Sequence, residues 1–523
     1  MTIKHLLGLF GISLAVLLFT ASFQSVPGYM DADYHLYLGE RLANGDGFSE
    51  DLLWNYLDSP QDLPHASHSY WPPLTSILTA IGLWIFPQLE AFSAGRSATL
   101  LLSAAISPLT GWLAFELSRK KGTSLFAALL AIVPIYYLPF LTTTDSFSPS
   151  MILGLIFFLF IVRIESHNES KFLPLALGIT AGLLHLARAE GLLWLMIAFL
   201  AFILPKSLKG KGKAGLFLVA VGYSVVMLPW FVRNLAQFSS LLAPGALKTL
   251  WLASYDELFS FPASSLNMEN WLASGWQRIV AARGWAFGQN AVTAVAVQGE
   301  IFLAPLVIMG AWNLRRRPAL YLAAIAWLLL FVAMTVFFPF TGVRGGFFHA
   351  GAVLQPLIWV LAAIGLNLFV DWGVGKRNWN KPSALGIFRG AALFYGIVLS
   401  VFIFRQRVIG SDLTDPNWNQ ASTHYQVLGK ELGSFDVVEN TLVMVNNPPG
   451  FSLATNGSAI VIPDGELSSS LAAAQAFGAD YLLLESNHPQ GLDQIYETPE
   501  NAEGMLYLTT IDGTHIFQID SGD

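Results

Sequence analysis

Long apolar runs alternate in this sequence with short stretches that hold most of the charge, and no other feature constrains the fold as much. A side chain facing hydrocarbon must be apolar, and a core of ~30 Å takes about 20 helical residues to cross, so such runs read as membrane spans. Candidate spans cover 5–23, 97–117, 125–142, 149–163, 172–186, 190–204, 214–232, 296–312, 319–338, 350–370 and 390–408. Only 12% of the residues are charged, where soluble domains run near about a quarter. The net charge of -7 excludes a nucleic-acid partner, which would need a basic surface. There is no cysteine, so neither disulfide staples nor thiolate chemistry are available. The first run follows Lys4 and closes without a small-x-small cleavage pattern, so it is expected to be a retained span rather than a cleaved signal peptide.

Lysine and arginine in short loops set the expected orientation. Arg119-Lys120-Lys121, the run Lys206, Lys209, Lys211 and Lys213, the triplet Arg315-Arg316-Arg317 and Lys376-Arg377 all fall on the side of the N-terminus if about eleven spans are counted. That side is then cytoplasmic and the tail after Arg407 lies outside. The segment Pro72 to Pro87 is apolar but would reach only roughly 24 Å as a helix. Counting it as a crossing would reverse the next basic clusters, so it is read as a re-entrant or interfacial helix.

Domain organisation follows. Residues 1–409 form a polytopic α-helical membrane domain with two long outside segments, 24–71 and 233–295. The first is acidic, with Asp31, Asp33, Glu40, Asp46, Glu50, Asp51, Asp58 and Asp62 against Arg41 alone. The second is rich in aromatics, including Trp251, Trp271, Trp276 and Trp285, and suits amphipathic helices along the interface. Residues 410–523 have the composition of a small soluble α/β domain outside the membrane. Strands are expected at Thr441–Val445, Ala459–Ile462, Tyr481–Leu484 and His515–Ile519, with a helix at Leu467–Phe477.

The residues that can carry chemistry gather in the outside loops. Asp31, Asp33 and His35 alternate, so in extended chain they would converge on one metal ion or one hydroxyl, with Tyr34 beside them. In a helix, Asp31 and His35 stay neighbours and Asp33 turns away. A solvated acidic loop is the plain alternative. His65 and His68, three apart, would share a helix face and a metal, or else be surface histidines ahead of a proline-started helix. Arg188, Arg233 and Arg344 sit on the expected outside, against the usual loop bias. They would bind an anionic lipid phosphate, or else pair internally, Arg188 for instance with Glu190 or Asp145. Asp145 would face outside as well, in use or as a helix cap.

These pieces in this order resemble the C-type (GT-C) glycosyltransferases, whose relatives include protein O-mannosyltransferases, aminoarabinose transferases and oligosaccharyltransferases. MDADYHLYLGERLANGDGF resembles the family's acidic motif after the first span, and YWPPLTSILTAIG the proline-rich start of the next segment. HLARAEGLLWL, MLPWFVRNLAQF and FTGVRGGFFHAGAVLQP resemble three further stretches, so the likeness covers about residues 1–370. What the resemblance implies is an inverting transfer of a sugar from a polyprenyl-phosphate-linked donor to an acceptor hydroxyl at the outer face of a bacterial plasma membrane. Arg188, Arg344, His349 and Arg233 would hold the donor phosphate, Asp31 or Asp33 would be the general base, and Asp145 and Tyr34 would support them. A divalent metal (Mg, Mn or Zn) near His35, His65 and His68 stays open, because some relatives use one and others do not. Two other classes compete: a transporter or lipid flippase, which would show paired mid-membrane interruptions, and a non-catalytic cell-envelope scaffold.

Overall fold

The computed structural model describes residues 2–166, 172–204, 212–435 and 441–520. Lys206, Lys209 and Lys211, used above for orientation, lie outside the described residues. Seven helices are long and apolar enough to cross a bilayer: Ile3–Ala21, Ser97–Ser118, Phe147–Glu165, Gly212–Phe238, Pro318–Phe337, Gln355–Arg377 and Lys381–Ile409. Phe172–Ala187, Ala189–Ile203, Lys121–Leu130 and Ala304–Leu314 are apolar but shorter. With this many apolar helices the chain is a membrane protein, although the 350–370 run starts across a turn at Val353–Leu354 and two other expected spans are broken more deeply.

The 125–142 run ends as an α-helix at Leu130, makes one 3-10 turn at Ile135–Tyr137 and continues as turns to Ser146. Pro134 and Pro139 explain this, because each removes a backbone donor and clashes with the preceding turn. The 296–312 run is broken as well. Trp276–Val292 widens into a π-helical turn, Thr293–Gln298, and the helix resumes only at Ala304. Glu300 and Ile301 lie between them with φ of 46° and 53°. Pro72-Pro73 does precede a helix, Leu74–Ile85, whose 12 residues are too few for a crossing. It packs on the helix Met30–Asn44 where Gly39 leaves room: a Cβ there would stand 2.5 Å from Thr79.

The C-terminal region forms a five-stranded sheet in the order Ser458–Val461, Leu442–Val445, Tyr481–Leu484, Thr514–Ile519, Met505–Ile511. The first three run parallel, and the last two add antiparallel. Pro448–Thr455 and Leu467–Phe477 are the crossover helices that parallel strands require. Met505–Ile511 was not expected from the sequence. It is an edge strand with a register shift between Tyr507 and Thr509, and its burial does not alternate cleanly.

Candidate active site

The acidic motif after the first span is helical, not extended. Met30–Asn44 begins one residue after Tyr29, with Asp31 and Asp33 in its first turn, where carboxylates complement the helix dipole. Two residues on a helix turn by about 200°, so the two aspartates face opposite ways. Asp31 looks toward Asp145 and His349. Asp33 looks toward the C-terminal sheet domain, where its Oδ2 accepts from Asn447 Nδ2 at 2.9 Å.

Three threonines fix Asp145. Thr143 Oγ1 donates to the Pro27 carbonyl at 3.1 Å and Thr144 Oγ1 to the Ala32 carbonyl at 2.7 Å, while Thr142 bonds the Gln24 side chain. This ties the turn before Phe147–Glu165 to the entry of the Asp31 helix, and all three threonines are buried. Asp145 Oδ2 then accepts from Tyr29 Oη at 2.5 Å and meets His349 Nε2 at 3.0 Å, and its Oδ1 accepts from the Ser146 N–H. His349, on the short helix Phe347–Ala352, also faces Asp31 Oδ2 at 3.8 Å and the Gly345 carbonyl through Nδ1 at 2.9 Å. Gly345 has φ +124°, a backbone that only glycine takes without strain.

These groups open on a cavity of about 380 Å³, which Arg188, Glu190, Arg344 and His35 also line. Arg188 Nε is paired with Glu190, and its NH1 reaches Ser146 Oγ at 3.3 Å. Arg344 is exposed, with its guanidinium 4.5 Å from the Tyr255 ring centre. Trp54, Tyr70, Trp71, Trp230 and Tyr255 supply aromatic surface. Trp54 and Trp71 are stacked, with ring centres 3.9 Å apart.

The charges separate the two carboxylates by role. Burial pushes the Asp31 carboxyl up to about 6, with His349 and Arg188 pulling against it. Its side chain is 31% accessible and lines the cavity. Burial would raise Asp145 too, yet His349 and the Tyr29 hydroxyl hold it well below the ordinary carboxylate range. Burial alone would lower His349, and Asp145 more than offsets that. Asp145 is therefore held toward its ionised form and His349 toward its protonated form, while Asp31, raised to about 6, can exchange a proton close to neutral pH.

The structure does not bring the other expected residues to this cluster. Asp33 is on the far face of its helix. Tyr34 is buried among Trp54 and Trp71, and its oxygen accepts from the His68 N–H at 2.9 Å. The three histidines proposed for a metal do not converge. His35 Nδ1 and His68 Nε2 share Ser76 Oγ, at 2.9 and 3.1 Å, and burial lowers both imidazoles. His65 and His68 are not on a helix, since His65 belongs to a two-residue strand and His68 has φ +62°. His65 instead lies between Asp58 and Glu50. Arg233 donates to the Ser67 carbonyl at 2.6 Å and the Phe48 carbonyl at 3.2 Å, and packs on Trp230 and Phe238; it does not line the cavity. Among the described residues, the group whose ligand atoms are close enough to hold a metal ion is Asp31, Asp145 and His349, within 4.8 Å of one another. Tyr29 and Tyr255 were missed in the sequence, because their partners Asp145 and Arg344 are far along the chain.

No family model and no curated protein matches the chain. Solved structures do. ArnT from Cupriavidus metallidurans, solved bound to undecaprenyl phosphate, superimposes with a TM-score of 0.59 over 99% of both chains at 11% identity. The same enzyme in the apo state gives 0.57 over 98% of both. The Archaeoglobus fulgidus oligosaccharyltransferase in complex with Zn and sulfate gives 0.55 at 14% identity, over 95% of this chain and 72% of that one. The fold is that of the GT-C enzymes. At these identities the likeness is one of architecture, and it spans both the membrane helices and the C-terminal sheet domain of the GT-C-fold chain described here.

Proposed function

We propose that this protein is a membrane glycosyltransferase that moves a sugar from a polyprenyl-phosphate-linked donor to an acceptor hydroxyl, with inversion, at the outer face of a bacterial plasma membrane. The observation that carries the reading is the single cavity in which Asp31, Asp145 and His349 meet Arg188 and Arg344. The ArnT relative bound to undecaprenyl phosphate supports the lipid class of the donor. The contact between Asp33 and Asn447 puts the C-terminal sheet domain on the same side as the cavity, so both lie outside if the basic loops are cytoplasmic.

The donor phosphate lies against Arg188 and Arg344, where guanidinium groups match its oxygens and offset the charge that grows as it leaves. Asp31 takes the proton of the acceptor hydroxyl while that oxygen attacks the anomeric carbon. The bond from that carbon to the phosphate oxygen breaks, and the phosphate departs with the electron pair. Asp145 and His349 sit beside Asp31 and pair with each other, His349 facing both carboxylates. Two carboxylates and one imidazole also fit a divalent ion such as zinc or manganese, with His349 Nδ1 steadied by the Gly345 carbonyl and Nε2 turned to the cluster. Such an ion would supply positive charge for the acceptor oxygen or the phosphate.

Transfer from a radiolabelled polyprenyl-phosphate hexose in purified membranes tests the reading. Asp31→Asn should lose about a hundredfold or more of the rate, as expected for a general base. Transfer that survives this change removes Asp31 from the chemistry, and no transfer from any lipid-linked donor moves the transporter and scaffold readings ahead.

A further inference from the structure

The C-terminal sheet domain touches the membrane domain at the places that shape the cavity. Trp418 Nε1 donates to the Val26 carbonyl at 3.0 Å, and Asn419 Oδ1 accepts from the Ser25 N–H at 3.0 Å, just ahead of the Asp31 helix. Leu53 adds to the edge of Ser458–Val461: its N–H donates to the Ala459 carbonyl at 3.0 Å and its carbonyl accepts from Val461 at 2.7 Å. Its neighbour Trp54 lines the cavity. Asp464 N–H donates to the Phe259 carbonyl at 3.2 Å, and Phe259 is another lining residue.

The polar contact to the Asp31 helix itself is made by one side chain. Asn447 stands at the start of Pro448–Thr455 and uses both ends of its amide. Its Oδ1 caps that helix, accepting from the Gly450 N–H at 3.2 Å, and its Nδ2 donates to Asp33 Oδ2. The approach is close: a Cβ on Gly450 would stand 3.0 Å from that same Asp33 oxygen. Asp33 is only 6% exposed, and about 200° of helix rotation separates it from Asp31. Holding one face of a rigid helix fixes the direction in which the opposite face points.

We propose that Asn447 is a positioning residue of the transfer site: by pinning Asp33 it sets the rotation of the Met30–Asn44 helix and aims Asp31 into the cavity. The C-terminal sheet domain is thereby part of the catalytic assembly rather than an appendage. The inference rests on the glycosyl-transfer reading for its kinetic consequence, and on geometry alone for the pinning.

Asn447→Asp, assayed at about pH 9, separates the two jobs of the amide, because an ionised aspartate caps a helix as well as asparagine does but has no proton to donate to a second carboxylate; at lower pH the buried pair would share one proton and keep the bond. In the full-length protein it should lower kcat roughly tenfold or more, a size typical of small misplacements, with donor KM nearly unchanged. Amide hydrogen exchange at residues 33–38 should speed up, while protection in Leu442–Val445 and Tyr481–Leu484 stays. The reciprocal exchange, Asp33→Asn with Asn447→Asp, rebuilds the bond with donor and acceptor swapped and should recover most of the lost kcat and protection. A single variant with wild-type kcat and wild-type exchange at 33–38, or a double variant no better than the single, overturns the proposal. If the wild type transfers no sugar from the labelled donor, the functional reading fails by itself. The exchange at 33–38 then still decides the pinning: faster exchange in the single variant upholds it and unchanged exchange overturns it.

Discussion

Asp31 and Asp145 are both aspartates near His349, yet their surroundings send them opposite ways. Asp145 has a cation at 3.0 Å and a phenol at 2.5 Å, whereas Asp31 has its cation at 3.8 Å and is raised to about 6 by burial. A general base must be ionised, so the transfer rate should fall as pH drops through about 6 and level off above it; a pH profile of kcat/KM with a limb near that value checks the assignment. A profile with no limb between pH 5 and 7 would remove Asp31 as the titrating base. Arg188 allows a second test. Its guanidinium spans Glu190 and Ser146 while facing the cavity, so Arg188→Lys keeps the charge but loses the fork. Donor KM should rise roughly tenfold, about 1.4 kcal/mol of binding, with a smaller change in kcat. The types and loops of these residues were legible in the sequence. The direction of each was not, because D-x-D is one site in an extended chain and two opposed faces in a helix.

At the scale of elements, the loop 24–71 depends on buried charge. His65 Nε2 meets Asp58 Oδ2 at 2.9 Å, and its Nδ1 faces Glu50 Oε1 at 3.6 Å. Burial would lower the imidazole, but Asp58 and then Glu50 raise it to about 9. Burial also pushes the Glu50 carboxyl up, against His65 and Tyr34, so the nearer Asp58 is the main partner. A group with a raised folded pKa contributes stability that is complete below its unfolded value near 6.5 and lost as pH climbs through the folded one. The loop should therefore loosen between pH 7 and 9.5, read as faster proteolysis or amide exchange over 46–70. His65→Ala should produce the same loosening at pH 7, at about 3 kcal/mol for two buried carboxylates left without their cation. The histidines suggested a metal because sequence spacing carries no information on what lies across the loop. Asp58 and Glu50, the residues that answer His65, were visible in the sequence only as part of an acidic tract.

For the whole molecule, apolar periodicity reached furthest where helices are long and uninterrupted, as in Ser97–Ser118 and Gln355–Arg377, and in the buried parallel strands with their crossover helix Leu467–Phe477. It failed where backbone chemistry overrides hydropathy: at Pro134 and Pro139, at the Glu300–Ile301 break, and at the bulged edge strand Met505–Ile511. The seam between bundle and sheet was invisible to it, since residues such as Gly28, which leaves room for the Trp418 ring, carry no periodic signal. That seam sets the sheet domain against segments that line the cavity, and lipid binding should report on the cavity itself. A ligand that binds only the folded protein stabilises it by about 2.7 kcal/mol at a hundred times its Kd. Undecaprenyl phosphate added to the detergent-purified protein should therefore raise the unfolding temperature in a concentration-dependent way. Arg188→Ala should shift that dependence to higher lipid concentration, because a carbon stub cannot neutralise phosphate. Undecaprenol, the same chain without the phosphate, should give no such Arg188-dependent shift. A rise that is equal for phosphate and alcohol, or indifferent to Arg188, would mean that the cavity reads the chain and not the phosphate, and the donor assignment would fall with it.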